Sequence, residues 1–399
     1  MPNVSDSAHR SLIICTDWFD PGVRAGGPIR SCVNLITMLG SDYRATVITS
    51  NQDLGAPAPY SGIPENSWIA WKGTAAVRYC SGSIQRLWAF VWTLRKRPRS
   101  TVYLNSMFSV EGTLFPLLWM WISRSQAQCV LAPRGMLKPS AIKAKSWKKR
   151  PLIFLMRITR LCQRVRFHAT SDDEVGEIRQ AFGDVEVHNV PNVPCQPVAS
   201  LPPHQKQPGR MKACFVGRIH PIKNPLWLIE QLQHVQGEVQ LIMIGPIEDE
   251  SCYEQCLTAV KQLPPLIDVK FIGPKSHNEI RHLLIQADVF LLPTEGENFG
   301  HAIFEALAVG VPVIISDRTL WRNLQNQNAG WDLTIDSPEP FRAALSEMAA
   351  MDQFQHEKLR NGGLCIAKNF VKKACFDENY KHLFMHSDEI RTGTENPLS

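Results

Sequence analysis

One segment of this 399-residue chain constrains its fold more than any other. An apolar run, Val289 to Leu292, leads through a glycine-containing turn into a helical stretch, and a second apolar run follows from Val311 to Ile315. A strand, a glycine turn and a helix N-terminus together present free backbone N–H groups and a positive dipole end, which bind phosphate. Glu297 in the turn and Glu305 on the helix repel an anion, but their carboxylates accept hydrogen bonds from sugar hydroxyls. The segment therefore predicts a site for a nucleotide sugar.

Short apolar runs alternate with helical stretches along the whole chain, and the first helical stretch spans Gly27 to Leu39. This alternation predicts parallel sheets covered by helices on both faces. Several runs in the second half end in Gly or Pro, as expected for loops at the carboxyl ends of strands, where open α/β sheets bind ligands. The predicted strands are Ser11–Cys15, Ala45–Thr49, Thr101–Leu104, Gln128–Leu131, Arg166–Thr170, Ala213–Gly217, Val239–Gly245, Val269–Gly273, Val289–Leu292 and Val311–Ile315.

The length suits two domains, and five prolines between Val193 and Met211 indicate the linker that joins them. We predict an α/β protein with two doubly wound, Rossmann-like domains that face a cleft. The N-terminal, acceptor-side domain spans residues 1–192, the linker 193–211, and the C-terminal, nucleotide-sugar-binding domain 212–369. Residues 370–399 form a crossover segment and tail.

A second cluster of candidate residues follows the strand that ends at Gly217. Arg218 and Lys223 flank a short loop there, and Asn224 comes directly after Lys223. Two cations at such a turn can hold a diphosphate and neutralise the charge that develops on it as a leaving group.

The N-terminal half offers further candidates at strand ends. Gly26 and Gly27 open the first helix and let backbone approach a phosphate. Arg134 follows a strand, where it is a candidate contact to donor or acceptor. His168 lies near the end of another strand, where a cleft position and a satisfied buried position both remain open.

The two motifs of the second half resemble the signature of retaining glycosyltransferases of family 4 (glycosyl transferases group 1), which have the GT-B fold. They read E-N-F-G-x-x-x-x-E-A-x-A-x-G-x-P-V-I from Glu297 and G-R-x-x-x-x-K-N from Gly217. The resemblance implies that Glu305 holds the ribose hydroxyls, Glu297 holds the transferred sugar, and Arg218 and Lys223 hold the diphosphate. It makes Arg218, Lys223 and Glu297 the candidate catalytic residues. Donor-binding residues are then Gly26, Gly27, Gly217, Arg218, Lys223, Asn298, Phe299, Gly300, His301 and Glu305. Many family members carry a histidine near the position where this chain has Arg134, so Arg134 departs from the pattern.

The implied activity is transfer of a sugar from a nucleotide diphosphate sugar to a hydroxyl of a lipid-linked glycan acceptor, with retention of the anomeric configuration. The implied setting is polysaccharide biosynthesis. No Asp-x-Asp motif occurs, and the two cations take the role that Mg²⁺ has in other transferases, so we expect no metal and no resident cofactor. Two alternatives stay open. One is a GT-B-like nucleotide-sugar epimerase or phosphorylase, and the other is a non-catalytic partner subunit that retains the fold.

Residues 131–170 contain eleven Lys or Arg and no acidic residue, with Trp147, Phe154 and other apolar residues interleaved. Such a basic amphipathic stretch, 138–166, suits an anionic membrane surface or a polyprenyl-diphosphate acceptor. A solvated helix face is the alternative, and no nucleic-acid-binding module is recognisable. A smaller patch of similar character comprises Arg86, Trp88, Trp92, Arg95, Lys96 and Arg97.

Eleven cysteines without paired spacings favour a reducing compartment. Met1 to Arg10 is polar and unlike a signal peptide, and the longest apolar stretch, Leu114 to Ile122, is about half of the ~20 residues of a spanning helix. We expect a cytoplasmic protein, either free or peripheral on the inner face of the membrane.

Overall fold

The computed structural model describes residues 10–143 and 146–385. Lys145 of the basic stretch, residues 1–9 and residues 386–399 of the expected tail lie outside the described part. The chain divides into two compact units. The first is built from the described residues up to Val193 and from Ala374 onward, and the second spans Pro194–Lys373.

The first unit contains an eight-stranded sheet. Its strand order is β3-β4-β2-β1-β5-β6-β7-β8, and every neighbouring pair is parallel except the β3–β4 hairpin. The strands are β1 (Arg10–Cys15), β2 (Tyr43–Ser50), β3 (Trp68–Trp71), β4 (Ala75–Cys80), β5 (Thr101–Leu104), β6 (Gln128–Leu131), β7 (Val165–Ala169) and β8 (Val187–Asn189).

The helices of this unit connect successive strands and cover the sheet, whose central strands are almost fully buried. They are α1 (Gly27–Leu39), α2 (Ser83–Lys96), α3 (Phe115–Ile122), α4 (Pro139–Lys143), α5 (Ser146–Ile158) and α6 (Asp172–Phe182). One hydrophobic cluster on the sheet includes Phe90 of α2, Leu117 of α3, Met156 of α5 and Ile178 of α6. These four helices therefore pack on the same face of the sheet.

The second unit contains a six-stranded parallel sheet with the order β11-β10-β9-β12-β13-β14. Its strands are β9 (Arg210–Val216), β10 (Glu238–Ile244), β11 (Ile267–Phe271), β12 (Val289–Leu292), β13 (Val313–Ser316) and β14 (Gly330–Leu333). Its helices are α7 (Pro225–Leu232), α8 (Glu250–Val260), α9 (His277–Gln286), α10 (His301–Ala308), α11 (Glu339–Ala350) and α12 (Gln353–Lys373). This order corresponds to the 3-2-1-4-5-6 sheet of dinucleotide-binding folds, which bind ligands where the order reverses, here between β9 and β12.

The proline-rich stretch 193–211 is attached to the second unit from Pro194 onward. Val198 donates its backbone N–H to the carbonyl of Ala308, and the guanidinium of Arg360 donates to the carbonyl of Pro202 at 2.7 Å. After α12 the chain returns to the first unit as α13 (Phe376–Phe384), where Thr101 donates its hydroxyl to the carbonyl of Phe384.

The prediction of doubly wound α/β domains is confirmed. All ten predicted strands occur, with ends shifted by at most a few residues, and α1 occupies Gly27–Leu39 as predicted. The pattern missed β3 and β4, which form the antiparallel hairpin, and the short strands β8 and β14 at sheet edges. Among the described residues, no helix combines the length and apolar character needed to cross a membrane.

Candidate functional site

The two sequence motifs of the second unit meet at its topological switch point. Strands β9 and β12 are hydrogen-bonded neighbours, with Cys214 paired to Phe290. Because parallel strands point their carboxyl ends to one edge, the loop after β9 and the loop after β12 emerge side by side. Arg218 and Lys223 are on the first loop, and Glu297 is on the second. The structure therefore brings these three predicted residues to one end of one sheet.

Backbone hydrogen bonds join the two loops directly. The carbonyl oxygen of Ile222 accepts from the N–H of Glu295 at 2.8 Å and from the hydroxyl of Thr294 at 3.0 Å. The turn before α7 is a single 3₁₀ turn, Pro221–Lys223, and His220 Nδ1 caps it by accepting from the N–H of Ile222. The turn ends at Asn224 with a left-handed backbone (φ 51°), which Asn tolerates better than most side chains.

Lys223 and Glu297 form an ion pair across the two loops. Their side chains are 12% and 18% exposed, so both are shielded without being sealed from solvent. The pair holds a cation and a carboxylate next to each other at the sheet edge. An incoming diphosphate would compete with Glu297 for the ammonium of Lys223.

Arg218 lies at the outer side of the same edge, and its guanidinium forms an ion pair with Glu248 in the loop after β10. Both side chains are well exposed. The backbone is closely packed beneath them: a Cβ at Gly245 would lie 1.9 Å from the carbonyl oxygen of Gly217. Glycine at position 245 thus allows the loops after β9 and β10 to approach.

Gly300, with a left-handed backbone (φ 76°), directly precedes helix α10, and no side chain caps the N-terminus of this helix. Phe299 and Gly300 are buried, and the indole N–H of Trp321 donates to the carbonyl of Phe299 at 2.8 Å. This bond fixes the turn before the helix. Asn298 and His301 lie on either side of Phe299 and Gly300.

Glu305 is in the second turn of α10 and is 8% exposed. His277, the first residue of α9, places its Nδ1 3.3 Å from Glu305 Oε1. The sequence interpretation missed His277. A capping box at Ser276 and Glu279 was the available signal, because it marks a helix start directly after the Gly and Pro that follow β11.

In the first unit, Arg134 is part of a hydrogen-bonded chain at the carboxyl ends of β5 and β6. Its Nε donates to Asn105 Oδ1 at 2.7 Å, and Asn105 Nδ2 donates to the carbonyl of Pro28 in the first turn of α1. Arg134 is therefore connected to the start of the helix that Gly26 and Gly27 open. Asn105 was not predicted, although a polar residue directly after a buried strand was a signal for it.

His168 lies in the interior with both ring nitrogens engaged. Nε2 is 2.8 Å from the carbonyl of Val190, which can only accept, so Nε2 carries the proton and Nδ1 accepts from the hydroxyl of Tyr103 at 2.8 Å. Arg134 Nη2 donates to the same hydroxyl at 2.6 Å. This arrangement favours the satisfied buried position and leaves His168 no ring atom for an acceptor.

A cluster with metal-ligand chemistry lies elsewhere in the second unit and comprises His204, Asp288 and His356. Asp288 Oδ1 is 2.7 Å from His204 Nε2, and Oδ2 accepts from the N–H of Lys212 at 2.7 Å. His356 Nε2 bonds to the carbonyl of Asp288. These bonds attach the segment after Pro194 and helix α12 to β12, so the cluster has a structural explanation without an ion.

Comparisons with known proteins show what this chain is similar to. Sucrose-phosphate synthase from Thermosynechococcus elongatus superposes with a TM-score of 0.67 at 17% identity, over 94% of this chain and 99% of that one. Anabaena HepE in complex with UDP-glucose also gives 0.67, at 15% identity over the same shares. A D-inositol 3-phosphate glycosyltransferase of Jonesia denitrificans is 26% identical over 224 residues, 51% of this chain. The chain spans only 53% of that relative's length.

The superpositions establish the fold class, the two-domain α/β architecture called GT-B. Residues 200–357, within the second unit, match the family described as "Glycosyl transferases group 1". The second unit thus carries a domain of the group 1 glycosyltransferase family, and the resemblance that the motifs indicated is confirmed at this level.

The environment of His168 gives a testable pH dependence. Burial, with the positive charge of Arg134 in second place, lowers the pKa of His168 to about 3. An unfolded histidine has a pKa of about 6.5, so the stabilisation from the neutral ring is complete above that pH and is lost as the pH falls towards 3. We expect the ¹³C-labelled ring of His168 to show no titration in NMR spectra between pH 8 and 5, with His168→Asn assigning the signal. A midpoint between pH 6 and 7 would contradict this arrangement.

Proposed function

We propose that this protein is a retaining glycosyltransferase that moves a sugar from a nucleotide diphosphate sugar to a hydroxyl of a lipid-linked glycan in polysaccharide biosynthesis. The observation that carries the proposal is the Lys223–Glu297 ion pair at the switch point of a group 1 glycosyltransferase domain. It combines a cation for a diphosphate with a carboxylate for sugar hydroxyls. The HepE structures named for their UDP and UDP-glucose ligands support a nucleotide-sugar donor.

In this proposal the donor is bound from its nucleoside to its sugar along one sheet edge. Glu305, beside His277, accepts hydrogen bonds from the ribose hydroxyls. The diphosphate lies against Lys223, Arg218 and the N-terminus of α10, and it separates Lys223 from Glu297. Glu297 is then free to accept from hydroxyls of the sugar that is transferred.

The chemistry follows from charge. As the bond from the anomeric carbon to the diphosphate breaks, negative charge grows on the leaving oxygen, and the two cations stabilise it. The leaving phosphate accepts the proton of the acceptor hydroxyl, which attacks from the same face and so retains the configuration. Trapping of a covalent glycosyl-enzyme would contradict this step. No metal is needed, because Lys223 and Arg218 supply the positive charge.

Replacement of Lys223 tests the donor site. Lys223→Met removes a charge-assisted bond to phosphate worth roughly 1.5–3 kcal/mol, so we expect UDP to bind about ten- to hundredfold more weakly by calorimetry without metal. Lys212→Met, which removes an exposed cation on β9, is the matched control and should leave the affinity unchanged. Equal UDP affinity in the two variants would refute the assignment. Conversion of a nucleotide sugar without any acceptor would favour the epimerase alternative.

We also propose that the protein acts at the cytoplasmic face of a membrane, through α2, α3 and α5 on one side of the first unit. Helix α5 exposes Trp147 (74%) and Leu155 (57%) beside its lysines, and Lys148 lies over the ring of Trp147. Ile84, Trp88 and Trp92 form an exposed stripe on α2, spaced four residues apart. Basic and aromatic side chains on one face suit an anionic lipid surface. Arg86 is not part of this surface, because it is buried in ion pairs with Asp17 and Glu111.

Vesicle binding tests this contact. The double variant Trp147→Ser, Leu155→Ser removes two apolar side chains that would each contribute about 1.5–3 kcal/mol when buried. We expect at least a tenfold loss of co-sedimentation with vesicles rich in anionic phospholipid. Phe354→Ser, which removes an 81% exposed aromatic from α12 of the second unit, should bind as wild type does. The same loss in both variants, or in neither, would contradict the proposed surface.

A further inference from the structure

A groove between α4, α5 and α6 lies apart from the candidate donor site and is lined by both apolar and charged side chains. Its volume is about 400 Å³, within the range of roughly 300–1,000 Å³ that is usual for small-molecule sites. Apolar side chains form its walls: Ile142 from α4, Ile153 and Phe154 from α5, and Ala181 from α6. The groove is open on one side, where Phe154 remains 65% exposed.

Two arginines of α5 line the same groove. Arg150 and Arg157 are seven residues apart, which puts them on one face of the helix, two turns and about 10 Å apart. Both are exposed. Of the thirteen residues of α5, only Met156 is buried, although the helix also carries Trp147, Phe154, Leu155 and Ile158. A helix with so much exposed apolar surface beside cations fits a ligand that is both apolar and anionic.

Glu177 of α6 adds a third kind of group to the lining. Its Oε2 is buried and has no hydrogen-bond partner among the described residues. Burial raises the pKa of the Glu177 carboxyl. An ammonium group placed against this oxygen would satisfy it and restore the charged form of the carboxylate.

We propose that this groove binds one aminophospholipid molecule, with an acyl chain along the apolar walls, the phosphate on Arg150 and Arg157, and the headgroup amine on Glu177. Each part of such a lipid meets a matching part of the groove. The site lies in the first unit and has no residue in common with the donor site. This proposal rests on the proposed membrane contact. It adds recognition of a particular headgroup to a general attraction to lipid.

The test uses the full chain and monomeric dihexanoyl-phosphatidylethanolamine below its micelle concentration, with binding read by native mass spectrometry and by NMR titration. We expect saturable binding of one molecule, with the phosphatidylglycerol analogue at least tenfold weaker. Glu177→Gln should remove that preference. The Arg150→Gln, Arg157→Gln double variant, and separately Gln180→Trp, which fills the groove from its exposed rim, should each weaken binding at least tenfold. Phe354→Ser, in the second unit and outside the groove, should not.

Each contrary result is informative. Binding that is absent, unsaturable or unchanged by Gln180→Trp would refute the groove as a lipid site, and circular dichroism of each variant separates this from unfolding. Tighter binding of a short polyprenyl phosphate than of the aminophospholipid would overturn the choice of ligand and favour the acceptor lipid instead. Lys223→Met should keep full lipid affinity, so loss of donor binding and loss of lipid binding remain separate failures.

Discussion

The candidate donor site depends on one backbone carbonyl. The oxygen of Ile222 accepts hydrogen bonds from both Thr294 and Glu295, so the loop that follows β9 is fixed to the loop that follows β12. Without this connection, Lys223 and Glu297 would belong to two independent loops. With it, a cation and a carboxylate far apart in sequence act as one site, which is the preorganisation that electrostatic catalysis requires. The sheet places the two loops next to each other, because its strand order reverses between β9 and β12.

Both units gather polar side chains at the carboxyl ends of their parallel strands, but the two sets of side chains differ in exposure. In the second unit, charged side chains at the switch point face outward and stay partly accessible, as a site for an anionic ligand requires. In the first unit, Arg134, Tyr103 and His168 form a chain of hydrogen bonds that runs into the core. Such a chain fixes the ends of β5, β6 and β7 relative to one another. Its histidine stays neutral because burial, and then the charge of Arg134, lowers the pKa of His168. The basic and aromatic helices α2 and α5, with the aromatic helix α3, then distinguish the outer face of this unit from its interior.

Much of the fold, and the meeting of the two motifs at one sheet edge, was predictable, because both follow from local patterns. Buried parallel strands are continuous apolar runs, and the glycines at positions 217 and 300 mark the turns that follow β9 and precede α10. The sequence pattern could not predict the contacts that depend on tertiary packing. His277 reaches Glu305 only because α9 packs beside α10, and Arg86 is buried only because Asp17 and Glu111 converge on it. The hairpin β3–β4 was missed since its strands are short and only partly buried.

The most direct measurement is a crystal structure of the full chain with UDP bound. The proposed donor site places the diphosphate within hydrogen-bonding distance of Lys223 Nζ and of the first N–H groups of α10. The Lys223–Glu297 contact should be opened, and Glu305 should accept from the ribose hydroxyls. A diphosphate bound away from Lys223, with the Lys223–Glu297 ion pair intact, would contradict it.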